Sequence, residues 1–318
     1  MKAICLNSRG GPESIAYQDV PEPQPGEGEV LIAVHAAGVT PTELAWIPTW
    51  TTTEGTPRSF PIIPGHEFSG IVHGVGPGVV TFAKGDAVFG MNGWFRDGAQ
   101  AEYCVARASE IAAKPASIDH TLAGVTPISA LTALQGLLDR AQLKEGERVL
   151  VQGAAGAVGS FVVQLARRQG AHVIGTASAH NFKFVRSLGA TEVIDYRAPA
   201  GEEVITPVDV VFDTVGGKTL LRSWELLKPG GRLITIAASA EQTEEPRVRD
   251  AFFIVEPKQA QLAEIARLID AGELRPIVGS EFPLAEASRA YQDKPLHGKV
   301  VLSVVAPPAS RRGDATGH

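Results

Sequence analysis

The stretch that decides the fold is Arg148–Gly170, RVLVQGAAGAVGSFVVQLARRQG. Val149–Val151 is a short apolar run with β-branched residues, which is typical of a buried strand. A turn of glycine, alanine and one valine follows at 153–159, and apolar residues then recur to Arg168 at the spacing of an amphipathic helix. This order is typical of a dinucleotide-binding unit, because small residues let a pyrophosphate approach the backbone and the helix N-terminus offers it free N–H groups.

The turn departs from the GxGxxG pattern, since Ala154 stands in the first place. A structural βα turn that binds no nucleotide is the alternative interpretation of such a turn alone. A second strand at 171–176, AHVIGT, begins directly after the helix and completes a βαβ unit of the expected length. The sequence therefore predicts a dinucleotide site on the turn residues Ala154, Ala155, Gly156, Ala157, Val158 and Gly159.

Composition narrows the classes of function. The chain has 318 residues, which favours two domains, and a net charge of −6, which argues against nucleic acid or an anionic membrane as the main partner. No apolar run approaches the ~18 residues that span a bilayer, and the N-terminus lacks the long apolar segment of a secretion signal. Cys5 and Cys104 are too few for a disulfide framework or a four-cysteine zinc site. We expect a cytoplasmic protein.

The domain organisation follows from where the pattern changes. Residues 1–121 contain short strands broken by Gly and Pro, which predicts a β-barrel or sandwich-like domain. Residues 122–256 alternate strands with helices, which predicts a parallel sheet covered on both faces. Residues 257–318 are expected to return to the first domain through a strand at 299–304, with a disordered tail from about 307. A capping box on Thr40 and Glu43 and a charged loop at 241–249 are further predictions.

Blocks along nearly the whole chain resemble the medium-chain dehydrogenase/reductase superfamily, in its zinc-independent quinone oxidoreductase-like branch. They include VPEPQPGEGEVLIAVHAAGV (20–39), IPGHEFSGIV (63–72), GAQAEY (98–103), SLGATEVIDY (187–196), DVVFDTVGG (209–217), LLKPGGRLITIA (226–237) and GKVVL (298–302). The resemblance implies an α/β protein, with a GroES-like β-barrel domain plus a doubly wound Rossmann sheet. It places the active site in the cleft between them and implies a homodimer joined through an edge of the Rossmann sheet.

The resemblance also raises the question of zinc. In zinc-dependent relatives the metal is held by a cysteine, by the histidine of a GHE motif and by a later cysteine or histidine. Here His66 keeps its place, but Thr40 stands at the first ligand position and Ile128 or a neighbour at the third. Threonine and isoleucine do not replace thiolate ligands, so we expect no metal and a structural or polar role for His66.

Without a Lewis acid, hydride transfer to an already electrophilic acceptor remains feasible, such as a quinone or the C=C bond of an enone. The candidate catalytic residues are Thr40, His66, Asn92 and Arg96. The alternative for Arg96 is that it pairs with Asp97 or faces solvent. Trp46, Trp50 and Trp94 are candidates for a pocket that holds a flat substrate, and domain packing is the alternative for each of them.

The second strand of the βαβ unit points to the cofactor. An NAD site would place an acid near Ala177 to bind both ribose hydroxyls, and no acid occurs from Ala171 to Thr191. Ser178, His180, Asn181 and Lys183 follow instead and can donate hydrogen bonds to a 2′-phosphate. Related sequences often carry arginine near position 180, so a histidine there predicts a weaker or pH-dependent contact. NADP(H) is therefore the predicted cofactor. The resemblance adds Tyr196, Val215, Gly216, Ile236, Ala237, Ala238, Phe252, Phe253 and Ile254 as residues bordering it.

Two functions from different classes remain. The first is an NADPH-dependent oxidoreductase that acts on a small quinone or enone, with carbonyl reduction as the alternative within the enzyme class. The second is an NADPH-binding redox sensor or scaffold with little turnover, since this fold does not guarantee catalysis.

Overall fold

The structure is a computed structural model that describes residues 1–198, 205–237 and 243–304. Its strands are β1 (Lys2–Leu6), β2 (Ile15–Asp19), β3 (Glu29–Val39), β4 (Glu67–Val75), β5 (Ala87–Met91), β6 (Tyr103–Arg107), β7 (Ile111–Ala113), β8 (Arg148–Gln152), β9 (His172–Ala177), β10 (Glu192–Asp195), β11 (Val208–Asp213), β12 (Leu227–Thr235), β13 (Val278–Pro283) and β14 (Lys299–Ser303). The α-helices are α1 (Ile47–Trp50), α2 (His120–Gly124), α3 (Pro127–Leu134), α4 (Ala157–Arg168), α5 (Phe182–Ser187), α6 (Gly217–Ser223), α7 (Pro246–Ala251), α8 (Gln259–Asp270) and α9 (Ala287–Gln292).

The first domain is built on a seven-stranded sheet in the order β13-β14-β3-β4-β5-β7, with β6 also paired to β3. β3 occupies the centre, because it pairs with β4, β6 and β14, and most of its residues are therefore buried. β14 runs antiparallel to β3 with Val301 opposite Gly38. The C-terminal strand β14 thus extends the sheet of the first domain, and the division of the chain at 121 and 256 stays a prediction.

The second domain is a parallel sheet in the order β10-β9-β8-β11-β12. In β8 the side chains alternate between the two faces. Val149 and Val151 pack with Phe161 of α4 in one cluster, and Leu150 packs with Leu220 of α6 in another. Helices thus cover both faces, and the predicted Rossmann arrangement is confirmed.

Helix α4 follows its apolar pattern closely. Phe161, Val162, Leu165 and Ala166 are buried against the sheet, whereas the arginines at 167 and 168 are exposed. The helix forms because one stripe of side chains can leave water together, at roughly 25 cal/mol per Å² of apolar surface. Its N-terminus is thereby held at the end of β8.

The charged loop predicted at 241–249 is wrong in its second half, because α7 occupies Pro246–Ala251. Val248 and Ala251 pack into the cluster that covers the sheet, and this burial outweighs the local abundance of charge. Residues 241–242 and the tail predicted from about 307 lie outside the described residues. In the described part of the chain, every helix is too short or too polar to cross a membrane.

Candidate active site

A cleft of about 520 Å³ lies between the two domains. Segment 39–48 and Trp94 of the first domain form one side, helix α3 forms the floor, and the strand ends of the parallel sheet form the other side. The structure brings eleven of the predicted residues into this cleft. They are Thr40, Trp46, Trp94, Ala157, Val158, Val215, Ile236, Ala237, Phe252, Phe253 and Ile254.

The glycine wall, which we define as 153–159, 214–216 and 236–237, is shaped by backbone. Gly153 has φ +76°, and a Cβ there would meet Thr214 Oγ1 at 2.5 Å. A Cβ on Gly159 would meet the Gly153 carbonyl oxygen at 2.2 Å, so the turn closes only with glycine. Ala154 is accommodated in the first place because the neighbouring strand carries Gly175, where a Cβ would meet the Ala154 Cβ at 2.9 Å.

The first turn of α4 suits an anion. Its N-cap is Gly156 and no side chain caps it, so the N–H groups at Ala157 and Val158 start the helix where the cleft begins. These features fit the pyrophosphate of a nicotinamide dinucleotide, because a small-residue turn and uncapped backbone donors are what such a group requires.

Asp213 holds the adjoining loop of the glycine wall. Its buried carboxylate accepts hydrogen bonds from the N–H groups of Val215 and Gly216 at 3.1 Å and from Thr235 Oγ1 at 2.7 Å. Phe252 bridges to Thr235, which sets segment 252–254 beside the strand end. The predicted neighbour Ala238 lies outside the described residues.

The predicted phosphate ligands lie at the end of β9. Ser178 Oγ lies 3.0 Å from His180 Nε2, and His180 and Lys183 are exposed. Asn181 is different, because its Nδ2 donates to the Leu296 carbonyl at 3.0 Å and its side chain is buried. It ties the two domains together. Tyr196 is exposed after β10.

The tryptophan wall, which we define as Thr40, Thr42, Trp46 and Trp94, faces the glycine wall. Trp94 Nε1 donates to the Val255 carbonyl at 2.9 Å across the domain boundary, and Trp46 meets Trp94 edge-on with ring centroids 5.2 Å apart. Trp50 does not join them. It packs with Leu6 and Ile62, and its Nε1 donates to the Leu44 carbonyl, so it stabilises the first domain by packing, and its prediction as a pocket residue is corrected.

The predicted capping box on Thr40 is wrong. Thr40 makes no side-chain cap, and Glu43 turns inward to accept the Gly65 N–H at 2.6 Å. Glu43 Oε1 lies 3.4 Å from His66 Nε2, with both side chains 2 % exposed. Burial raises the pKa of Glu43 to about 7 although the Gly65 N–H opposes it, and burial with some help from Arg58 lowers the pKa of His66 to about 4. Between these values both groups are neutral.

Asn92 and Arg96 lie outside the cleft. Asn92 is buried and its Nδ2 donates to the Asp97 carbonyl, which holds the turn after β5. Arg96 pairs with Glu29, while Asp97 pairs with Arg58 at 2.6 Å. Asn92 and Arg96 therefore have structural roles, which corrects their prediction as catalytic residues and the predicted pairing of Arg96 with Asp97.

Sequence reasoning missed the polar corner, which we define as Glu67, Ser129 and Lys299. Lys299 Nζ forms an ion pair with Glu67 Oε1, and Glu67 Oε2 accepts the N–H of Ile128 at 2.9 Å. Ser129 on α3 and Lys299 on β14 both line the cleft. The signal was present in the block GKVVL, where a lysine occupies an otherwise apolar strand.

The corner that holds zinc in zinc-dependent relatives does not fit a metal here. His66 is buried against Glu43 and Trp94, Thr40 and Ile128 offer no thiolate or imidazole, and Glu67 is engaged by Lys299. Across residues 1–198, 205–237 and 243–304, no group of three or more His, Cys, Asp or Glu side chains could hold a metal ion.

Comparison with known proteins agrees with this architecture. Family models match residues 26–116, described as an alcohol dehydrogenase GroES-like domain, and residues 188–302, described as a zinc-binding dehydrogenase. A probable zinc-binding oxidoreductase, mitochondrial, of Arthroderma benhamiae is 35% identical over 92% of this chain and 94% of its own.

Two solved structures are also similar. The quinone oxidoreductase of Coxiella burnetii has a TM-score of 0.86 and 30% identity, covering 96% of this chain and 99% of its own. A mycobacterial protein complexed with NADPH has a TM-score of 0.79 and 32% identity, covering 95% of this chain and 100% of its own. With its GroES-like domain, its Rossmann sheet and a cleft that suits a nicotinamide cofactor, the chain belongs to the medium-chain dehydrogenase/reductase superfamily as an oxidoreductase of the quinone oxidoreductase-like branch.

Proposed function

We propose that this oxidoreductase uses NADPH to reduce a quinone or the activated C=C bond of an enone, without a metal. The observation that carries the proposal is the cleft itself. It is open, largely apolar and about 520 Å³ in volume, and its two sides carry a dinucleotide-binding turn and an aromatic pair. An apolar cleft with a few polar groups is the usual form of a site for a small organic substrate.

The residues on each side of the cleft have different roles. A bound nicotinamide would supply the hydride, and the glycine wall and the segment Phe252–Ile254 would hold and orient the nicotinamide ring. Trp46 and Trp94 offer flat apolar surfaces to the acceptor. Because no zinc site can be assembled from Thr40, His66 and Ile128, an acceptor that is already electrophilic is favoured over a simple alcohol or aldehyde.

The preference for NADPH rests on the end of β9. Ala177 stands where an acid would bind the ribose hydroxyls, and Ser178, His180 and Lys183 follow it. Asp195 lies opposite Ala177 in the sheet, but its Oδ1 accepts the Arg197 N–H at 2.9 Å. The mycobacterial relative bound to NADPH supports the same cofactor.

We also propose a domain division, an oligomeric state and a cellular compartment. We propose domains at 1–121, 122–256 and 257–318, the last returning to the first. We propose a homodimer through an edge of the parallel sheet, whose edge strands are β10 and β12. We propose the cytoplasm as compartment, in keeping with Cys5 and Cys104, which are unpaired and buried.

The test is the loss of NADPH absorbance with 1,4-naphthoquinone or 2-cyclohexen-1-one in the presence of EDTA, with NADH as the comparison. We expect turnover that persists with the chelator and is faster with NADPH. Binding of NADPH without turnover of either acceptor would replace the enzyme with the sensor or scaffold, reduction only of simple aldehydes would favour a carbonyl reductase, and inhibition by EDTA would overturn the metal-free proposal.

A further inference from the structure

The floor of the cleft carries a hydroxyl that no protein group uses. Ser129 is fully buried and lines the cleft, and its Oγ has no hydrogen-bond partner among residues 1–198, 205–237 and 243–304. Its neighbours differ. Thr132 Oγ1 donates to the Ile128 carbonyl at 2.6 Å, and Thr214 Oγ1 donates to the Gln152 carbonyl at 2.8 Å. A buried hydroxyl left unpaired is costly, which points to a partner that arrives with a ligand.

A charge lies next to this hydroxyl. Glu67 Oε2 accepts the N–H of Ile128, the residue before Ser129, while Glu67 Oε1 pairs with Lys299 Nζ. The Lys299 side chain is 7 % exposed and Lys299 also lines the cleft. Ser129 sits in the first turn of α3, where the helix dipole is positive. The Ser129 hydroxyl and the Lys299 ammonium, whose charge Glu67 balances, therefore give an otherwise apolar cleft two hydrogen-bond donors without a net charge.

We propose that Ser129 and Lys299 form the site that binds the carbonyl oxygen of the electron acceptor. This inference rests on the proposed function. The carbon skeleton lies against Trp46 and Trp94, and the oxygen lies at the polar corner. The substrate class that fits is an uncharged, apolar quinone or enone, because the cleft's lysine is already neutralised by Glu67 and no second cation lines the cleft in the described residues.

The electrons and protons balance with both residues unchanged. The acceptor gains a hydride from the reduced nicotinamide, which becomes oxidised, and negative charge develops on the carbonyl oxygen. Ser129 and Lys299 donate hydrogen bonds to that oxygen, which takes one proton from water. Removal of one such donor from a developing oxyanion costs about 100- to 1,000-fold in rate in a dry site. A neutral hydroxyl beside a charge that remains is expected to contribute less, about 10- to 100-fold.

The variants are Ser129→Ala, Ser129→Thr as the rescue that keeps a hydroxyl, and Thr126→Val as the control. Thr126 is buried on the same helix end, but its Oγ1 donates to the Leu122 carbonyl outside the cleft. We expect Ser129→Ala to lower kcat/KM for 1,4-naphthoquinone about 10- to 100-fold, with the NADPH dissociation constant unchanged. Ser129→Thr should recover part of the rate, and Thr126→Val should keep it.

A binding measurement separates this inference from the proposed function. Calorimetric titration of the full chain with NADP⁺ present compares 1,4-naphthoquinone with naphthalene, which has the same rings and no carbonyl. The native chain should prefer the quinone by about fivefold, the worth of one hydrogen bond, and Ser129→Ala should lose that preference. If the native chain binds both ligands but never turns over, the proposed function fails while this site stands.

Two results would overturn the site. One is an unchanged quinone preference in both Ser129→Ala and the double variant Glu67→Leu, Lys299→Met, which removes the ion pair as a unit. The other is a Ser129→Ala variant that binds NADPH more weakly but binds the acceptor with unchanged affinity, since the hydroxyl would then contact the cofactor.

Discussion

The two sides of the cleft solve the problem of polarity differently. The glycine wall presents backbone N–H groups and small side chains to the cleft. The nearby carboxylate of Asp213 accepts hydrogen bonds from the loop at Val215 and Gly216 and is not available to a ligand. The side formed by the first domain buries titratable side chains in pairs. Glu67 and Lys299 form a charged pair, whereas Glu43 and His66 are neutral between about pH 4 and pH 7. The shape of the glycine wall therefore depends on how closely its backbone segments pack, whereas the stability of the first-domain side depends on the protonation and pairing of buried side chains.

The largest loss of stability should come from breaking the Glu67–Lys299 ion pair in the first domain. Glu67→Gln leaves Lys299 buried without its counter-charge, and we expect the free energy of unfolding to fall by about 3–5 kcal/mol. Glu264→Gln is the control, because Glu264 pairs with Arg267 on the exposed face of α8 and should cost less than about 0.5 kcal/mol. Urea unfolding of the three proteins measures both. Equal losses for the two variants would remove the contrast between buried and exposed pairs.

Glu43 makes the same side sensitive to pH. Because burial raises its folded pKa to about 7, its contribution to stability is present below its unfolded pKa of 4.5 and is lost as pH rises through 7. His66 acts in the opposite sense, since its lowered pKa of about 4 removes stability as pH falls below 6.5.

Glu43→Gln should cancel only the first of these two dependences. Between pH 5 and pH 8 the free energy of unfolding of the variant, relative to the native chain, should rise by roughly 2–3 kcal/mol. Urea unfolding at both pH values measures this. A difference between variant and native chain that does not change with pH would mean that Glu43 titrates normally in the folded protein.

The glycine wall should respond to volume and not to pH. Gly159→Ala places a Cβ 2.2 Å from the Gly153 carbonyl oxygen, and we expect a loss of about 2 kcal/mol in stability together with weaker NADP⁺ binding. Gly74→Ala is the matched control in β4, where a Cβ meets nothing within 4 Å. Thermal unfolding with and without NADP⁺ reports both effects. A Gly159→Ala variant that binds NADP⁺ as the native chain does would show that the turn is not the pyrophosphate site.

The smallest effect concerns Lys183, an exposed residue that follows β9. Lys183→Ala should weaken NADP⁺ binding by about fivefold, the worth of one exposed charge-assisted contact, and leave NAD⁺ binding unchanged. Lys84→Ala is the control, because Lys84 is exposed in the first domain, outside the residues that line the cleft. Calorimetry with both nucleotides measures the difference. Equal weakening of NADP⁺ and NAD⁺ would mean that Lys183 does not face the 2′-phosphate.

The difference between the two sides also explains what the sequence could predict. The turn at 153–159 of the glycine wall is contiguous in the chain, and its function resides in small residues at set spacing, so this turn, α4 and β9 could be predicted from the pattern alone. The polar corner joins Glu67, Ser129 and Lys299 from three distant segments. Its chemistry depends on burial and orientation, which no local pattern contains.

The same reason explains the corrections. Glu43 has capping-box spacing, but the buried Gly65 N–H is the partner it finds in the folded protein. Trp50 and Trp46 lie in one short segment, yet one faces the core of the first domain and the other faces the cleft. Arg96 pairs with Glu29, which is far away in the chain. Each outcome was decided by tertiary contacts.

One set of titrations tests most directly the claim that the glycine wall and the polar corner hold different ligands. Native chain, Gly159→Ala and Ser129→Ala are titrated with NADP⁺ alone and then with 1,4-naphthoquinone at saturating NADP⁺. We expect Gly159→Ala to lose NADP⁺ affinity and, once saturated with NADP⁺, to bind the quinone as the native chain does. Ser129→Ala should bind NADP⁺ normally and lose quinone affinity by about fivefold. Loss of the same ligand in both variants, or of neither ligand in either, would contradict it.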